Sequence, residues 1–289
     1  MLPVRLRLPV ATAFALLTAA CGTQGAVETA YTLPGDRVYP EGIAADPRTG
    51  DTYVGSYGTG AIYRAAPDAT EAEVFLPAGV TVYDIASRRP LVRFTVPGSG
   101  PRFVNDLAIT PDGTAYLTDS VRGVVYRVTP EQLAAAGPAE LTVGFDLSAQ
   151  LAPRPADAMN LNGIATEGRY LLVVDMVPGE LYRIALDSGE IRRVALRGGD
   201  VTNGDGLELR DGTLWVVHNT ANTISRWTIG DDGASATKSG QVTDAALHIP
   251  TTMVRVGDRT LVVASQFDRG GPMGPGEPSR FEIVAVPGI

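Results

Sequence analysis

One phrase recurs along the chain: a polar residue, a short apolar strand, a Gly, Asp or Pro turn, and a second apolar strand. It runs from Glu41 to Pro47 with Thr52 to Tyr57, from Asn105 to Gly113 with Ala115 to Ser120, and from Asn162 to Gly168 with Leu171 to Met176. It returns from Asp205 to Gly212 with Leu214 to Asn219, and from Thr251 to Asp258 with Leu261 to Gln266. Third strands are expected at Ala61 to Arg64, Val124 to Val128, Glu180 to Ala185 and Thr223 to Ile229. Fourth strands are expected near Glu73 to Leu76, Glu140 to Phe145 and Ile191 to Leu196. Unit starts are 64, 57, 43 and 46 residues apart. Four antiparallel strands at such a period predict the blades of a β-propeller. The long first interval holds Val80 to Asp84 and Leu91 to Val96, which read as the third and fourth strands of a blade whose first two strands are missing. The count is therefore five full units and a half unit. A short helical turn is expected at Pro130 to Ala136.

Composition agrees. The 33 Gly and 21 Pro are scattered without a triplet period, as turns between many short strands require. With 44% apolar and 19% charged residues, the chain can bury a core. The net charge of −8 gives no general attraction for nucleic acid or an anionic membrane. One Cys and two His exclude an intramolecular disulfide and a three-His metal site. No Gly-x-Ser-x-Gly elbow, Walker loop or Gly-x-Gly-x-x-Gly turn occurs.

Residues 1–20 read as an export signal: Arg5 and Arg7 precede the apolar run Leu8 to Ala20, which is too short to span a bilayer. The run ends Leu17-Thr18-Ala19-Ala20-Cys21, which resembles a bacterial lipobox, so Cys21 is the expected lipid attachment point. Residues 21–33 then form a tether and 34–289 the propeller. The expected location is the outer side of a bacterial cytoplasmic membrane, held by the lipid alone, with a secreted or periplasmic protein as the alternative.

Equivalent starts of radial strands converge on one channel mouth. Glu41, Asn105, Asn162 and Asp205, with Thr251 and Thr252 last, would place two carboxylates and two amide oxygens there. That donor set suits calcium first, with magnesium and zinc as alternatives. The second strand returns to the same face, so its polar ends, Ser56, Asp119, Asp175, His218 and Ser265, are expected to orient those ligands from behind.

Taken in order, Pro40-Glu41-Gly42, Asn105-Asp106 with Pro111-Asp112-Gly113, Asn162-Gly163, and Asp205-Gly206 with Asp211 to Val216 resemble the senescence marker protein / gluconolactonase family, which includes regucalcin-like lactonases. The resemblance covers roughly residues 38–268. It implies a six-bladed propeller with a divalent metal in its channel. Glu41, Asn162 and Asp205 match the family's metal ligands, Asn105 its contact to metal-bound water or substrate, and Asp205 also its general base. The chain departs from the family at Phe103, where an Arg is common; Arg102 is one position off. The implied activity is metal-dependent hydrolysis of a lactone or similar small ester. The alternative is a non-catalytic propeller that binds a ligand or serves as a scaffold on the cell surface. The sequence identifies no protein partner.

Overall fold

A computed structural model describes residues 26–289 apart from 77–81, 86, 88, 136, 156 and 157. The expected export signal and Cys21 lie outside the described residues, as does the start of the half unit at Val80. Among the described residues no helix is long and apolar enough to cross a membrane.

The chain is all-β and forms a six-bladed propeller. The first blade is the meander β2(Pro40–Ala45), β3(Thr52–Ser56), β4(Ile62–Ala65) and β5(Glu73–Leu76). The second is the expected half blade, β6(Val82–Tyr83) and β7(Pro90–Thr95), extended on its outer edge by β11(Gly137–Glu140), which runs parallel to β7. The third is β8(Val104–Ile109), β9(Ala115–Asp119), β10(Val124–Val128) and β12(Thr142–Asp146). The fourth is β13(Leu161–Thr166), β14(Tyr170–Asp175), β15(Glu180–Ala185) and β16(Ile191–Arg193). The fifth is β18(Gly204–Arg210), β19(Thr213–His218), β20(Thr223–Gly230) and β21(Ser235–Thr243), with β17(Ala195–Arg197) parallel to β21 outside it. The sixth is β22(Pro250–Val256), β23(Arg259–Ala264) and β24(Phe281–Ala285). The expected short helix is α1(Pro130–Ala134), opened by a capping box in which Thr129 and Gln132 each accept from the other's backbone N–H.

The sixth blade corrects the tether boundary. Residues 28–33 form β1(Glu28–Leu33), which pairs antiparallel with β24 and completes that blade. Tyr31 and Leu33 are buried there, so burial of the inward face holds the strand in place. Two expected fourth strands are also divided between sheets. Glu140 ends β11 on the half blade while β12 joins the third, and β16 and β17 belong to different blades.

The core is a series of layers between neighbouring sheets, and strand alternation supplies both sides. On β14, Leu172 and Val174 face the fifth blade while Leu171 and Val173 face the third. On β19, Leu214 and Val216 face the fourth blade while Trp215 and Val217 face the sixth. Buried on both faces, such strands read as continuous apolar runs, which is why they stood out in the sequence. The half blade shares a layer with the third blade through Phe94 and Val96. On its other side, against the first blade, lies a groove of about 640 Å³ bordered by Tyr53, Phe75 and Leu91.

Candidate functional site

The five innermost strands, β2, β8, β13, β18 and β22, carry the residues proposed from the sequence. Each pairs with its second strand through a register shift at the same place. The shifts fall between Pro40 and Ile43, Val104 and Leu107, Leu161 and Ile164, Gly204 and Leu207, and Pro250 and Met253. The residues inside them are Glu41-Gly42, Asn105-Asp106, Asn162-Gly163, Asp205-Gly206 and Thr251-Thr252. A bulge adds a residue to one strand and turns its side chain out of the regular alternation. Five equivalent bulges thus aim five polar residues at one end of the channel.

Three of the proposed residues meet directly. Asn105 Nδ2 donates to Asn162 Oδ1 at 3.0 Å and to Ser120 Oγ at 2.9 Å. Asn162 also bonds the Asp205 carboxylate. Asn219 Nδ2 donates to Asp205 Oδ2 at 3.2 Å, and Thr251 Oγ1 to the Glu41 carbonyl at 2.6 Å. Glu41 is half-buried, and its carboxylate has no hydrogen-bond partner among the described residues.

Asp106 is a third carboxylate in the group. Its Oδ2 accepts the Ile164 N–H at 3.0 Å across to the next inner strand, and its Oδ1 accepts from Leu107 N at 2.8 Å. The following repeats have Gly163 and Gly206 at this position. A Cβ on Gly163 would lie 2.1 Å from the Asp205 carbonyl, and one on Gly206 would lie 2.2 Å from Thr252 Oγ1. Close approach of adjacent inner strands therefore requires those glycines. A Cβ on Gly42 would meet nothing within 4 Å. This is where the half blade supplies no inner strand.

The electrostatics follow from burial first and from neighbouring negative charge second. Burial, then the charge of Asp106, pushes Glu41 up to about 7. Burial pushes Asp106 up to about 6 against the pull of its two backbone donors. Asp205 is raised well above the usual range by burial first and by Glu41 next, while Asn219 and Asn162 oppose the shift. No basic residue figures among the causes of any of these three shifts.

The residues at the second-strand ends do something other than orient these ligands. Each fastens the connector that leads into its own blade's inner strand. Ser56 Oγ donates to the Val38 carbonyl, and Ser265 Oγ to the Ile249 carbonyl at 2.6 Å. Asp119 Oδ1 accepts from Phe103 N at 3.0 Å. Asp175 takes a bidentate pair from Arg154 at 2.8 and 2.6 Å. His218 Nδ1 meets the Thr202 carbonyl at 2.8 Å. Contact with the site falls to the next residue in three repeats. Ser120 bonds Asn105, Asn219 bonds Asp205, and Met176 Sδ accepts from Asn162 Nδ2 at 3.5 Å. Successive strand residues face opposite ways, so counting one residue further along the repeat would have found them. Gln266 breaks the pattern by bonding Ser279 and Arg280.

All the polar donors at this end are oxygens, and the carboxylates are mutually destabilising without a positive charge. That chemistry fits a hard divalent cation held by Glu41, Asp205 and the Asn162 amide oxygen. Among the described residues no three His, Cys, Asp or Glu side chains are drawn together as a ready metal cluster, so the set depends on the amide.

No protein-family model matches the chain, and no curated protein matches it in sequence. Solved structures do. Regucalcin, a calcium-binding protein from Agrobacterium tumefaciens, aligns at TM-score 0.59 and 16% identity, covering 90% of this chain and 97% of its own. A glucose dehydrogenase-type oxidoreductase from Thermus thermophilus aligns at TM-score 0.57 and 16% identity, covering 90% and 99%. Virginiamycin B lyase from Staphylococcus aureus aligns at TM-score 0.40 and 17% identity, covering 89% and 74%. At these identities the first two establish the fold: the chain is a six-bladed β-propeller of the architecture that regucalcin-like propellers share.

Proposed function

We propose that the chain is a divalent-metal-dependent hydrolase of a lactone or similar small ester, with calcium as the first choice of metal. One observation carries this reading. Glu41 and Asp205 are brought to the channel end with Asn162 between Asn105 and Asp205, in a setting where burial first and neighbouring carboxylates second raise both acids. Glu41, Asn162 and Asp205 would hold the cation. Bound there, it would polarise an ester carbonyl. Asp205 has Oδ2 steadied by Asn219 and is the group suited to take a proton from attacking water. Asn105, fixed by Ser120 and Asn162, would position the substrate. On the same reading the protein works outside the cytoplasmic membrane, tethered through Cys21.

The test is a lactone panel assayed with and without calcium. Wild type should turn over at least one member only with metal, and Asp205→Asn should lose that turnover. Full hydrolysis by Asp205→Asn would overturn the mechanism. Calcium that raises the melting temperature without any turnover would instead leave a binding module.

A further inference from the structure

Among the described residues ten large apolar side chains are exposed; one, Val143, stands on the outer strand β12, and the other nine fall into two groups. Val74, Ile85, Leu91, Leu107 and Ile109 flank the half blade. Four others, Tyr57, Phe103, Val177 and Met273, stand at 50, 37, 61 and 45% exposure. All four lie in connectors at the end of the propeller where the inner strands begin, the end that holds Glu41, Asn105, Asn162 and Asp205. At the opposite end, the first turns of the five full blades, 46–51, 110–114, 166–169, 210–212 and 257–258, contain none. Away from the half blade and its neighbouring strands, the exposed apolar connectors thus form a rim at the site end.

The rim residues are held in place. Phe103 lies two residues before Asn105. Its N–H is accepted by Asp119, and its carbonyl accepts from Ser120 N at 2.8 Å. Arg122 spans the loop before it, donating to the carbonyls of Pro97, Ser99 and Pro101 at 2.6, 3.1 and 3.0 Å. The ring of Tyr57 lies 5.4 Å from buried Phe267, centroid to centroid. Met273 N donates to the Phe267 carbonyl at 3.0 Å. These side chains come from four separate blades, at the end of the propeller that carries the acidic residues. Acidic and apolar groups presented together at one end suit a ligand with a polar head and an apolar body.

We propose, resting on the hydrolase reading above, that the ligand is a lactone or ester with an alkyl or aryl substituent, which the rim takes up through Phe103 and Tyr57. Polyhydroxylated and carboxylate-bearing lactones are the disfavoured class. The exposed cation beside Phe103, Arg102, is the residue that would favour them.

The test uses the full propeller with calcium and γ-lactams carrying alkyl groups from methyl to hexyl, which bind without being hydrolysed. Affinity is measured by calorimetry, beside turnover of the matching lactones. Affinity should rise about twofold to fourfold for each added methylene. Phe103→Ser should flatten that series, and Tyr57→Ser should flatten it independently if the first variant folds poorly. A flat series, no lactam binding, or tighter binding of a hydroxylated or carboxylated lactam lost in Arg102→Ala would overturn the proposal. Chain-length-dependent binding without turnover of any lactone would keep the apolar ligand class and remove the hydrolase.

Discussion

Asn105 and Asn162 are joined by a 3.0 Å amide hydrogen bond that links the inner strands of two neighbouring blades. The same Asn105 Nδ2 is tied to Ser120, so both its protons are used and its direction is fixed. The amide of Asn162 is thereby held with Oδ1 on Asn105 and Nδ2 on the Asp205 side. Asn105→Asp removes both donors and should weaken calcium binding about 10- to 100-fold, the usual effect of losing a residue that orients a metal ligand. Equilibrium dialysis with calcium measures this, with circular dichroism to confirm that the sheets remain.

Glu41, Asp106 and Asp205 all hold their protons more tightly in the fold than in the unfolded chain. Their folded pKa values are raised, so their contribution to stability is complete below their ordinary values near 4 and is lost as pH rises through about 6 to 7. Metal-free protein should melt lower at pH 8 than at pH 5 on this account. Glu41→Gln should raise the metal-free melting temperature at pH 8 and change it little at pH 4. Calcium should restore the wild type and help the variant far less. Thermal scans with and without chelator decide it.

Buried His218 works in the opposite pH direction. The Thr202 carbonyl can only accept, so His218 Nδ1 carries the proton and Nε2 accepts from Ser225 Oγ at 2.6 Å. Trp227 Nε1 in turn donates to Ser225 Oγ at 2.7 Å. Burial lowers the His218 pKa, so the neutral ring's contribution is complete above 6.5 and is lost as pH falls below it. Ser225→Ala strands the Trp227 N–H and the His218 nitrogen in the core and should cost about 2–4 kcal/mol in urea unfolding at pH 7.5.

The glycines at the bulges should separate sharply. Gly163→Ala and Gly206→Ala force a methyl group onto the neighbouring strand and should each cost about 3 kcal/mol. Gly42→Ala, with open space around it, should stay within about 0.5 kcal/mol of wild type. Equal losses at all three positions would mean that the inner ring is closed beside β2.

The sequence showed the blade repeat because its two inner strands are apolar on both faces, as in β14 and β19. It did not show β21, whose Ser235 to Thr243 alternates little between apolar and polar, or β24, which follows a long Gly- and Pro-rich connector. It hid β1 because a six-residue strand that pairs with a partner 250 residues away leaves no local signal. The four candidate site residues were legible from their repeat positions. Asp106 was not, because its neighbours at that position are glycines. The supports were misplaced by one residue, since a two-residue period makes adjacent polar positions equally plausible until the backbone is known.

The pairing of β1 with β24 has a consequence for how the molecule is made. Thr29 and Glu282 touch across 253 residues of chain. β1 has no partner until β24, made long after it, has left the ribosome. Five blades can assemble from neighbours in order, but the sixth waits for the final strand. Ring closure is therefore a late, long-range step, and losing β24 would leave both ends of the ring open. Until β24 arrives, the strand edges it will join, on β1 and β23, stay unpaired.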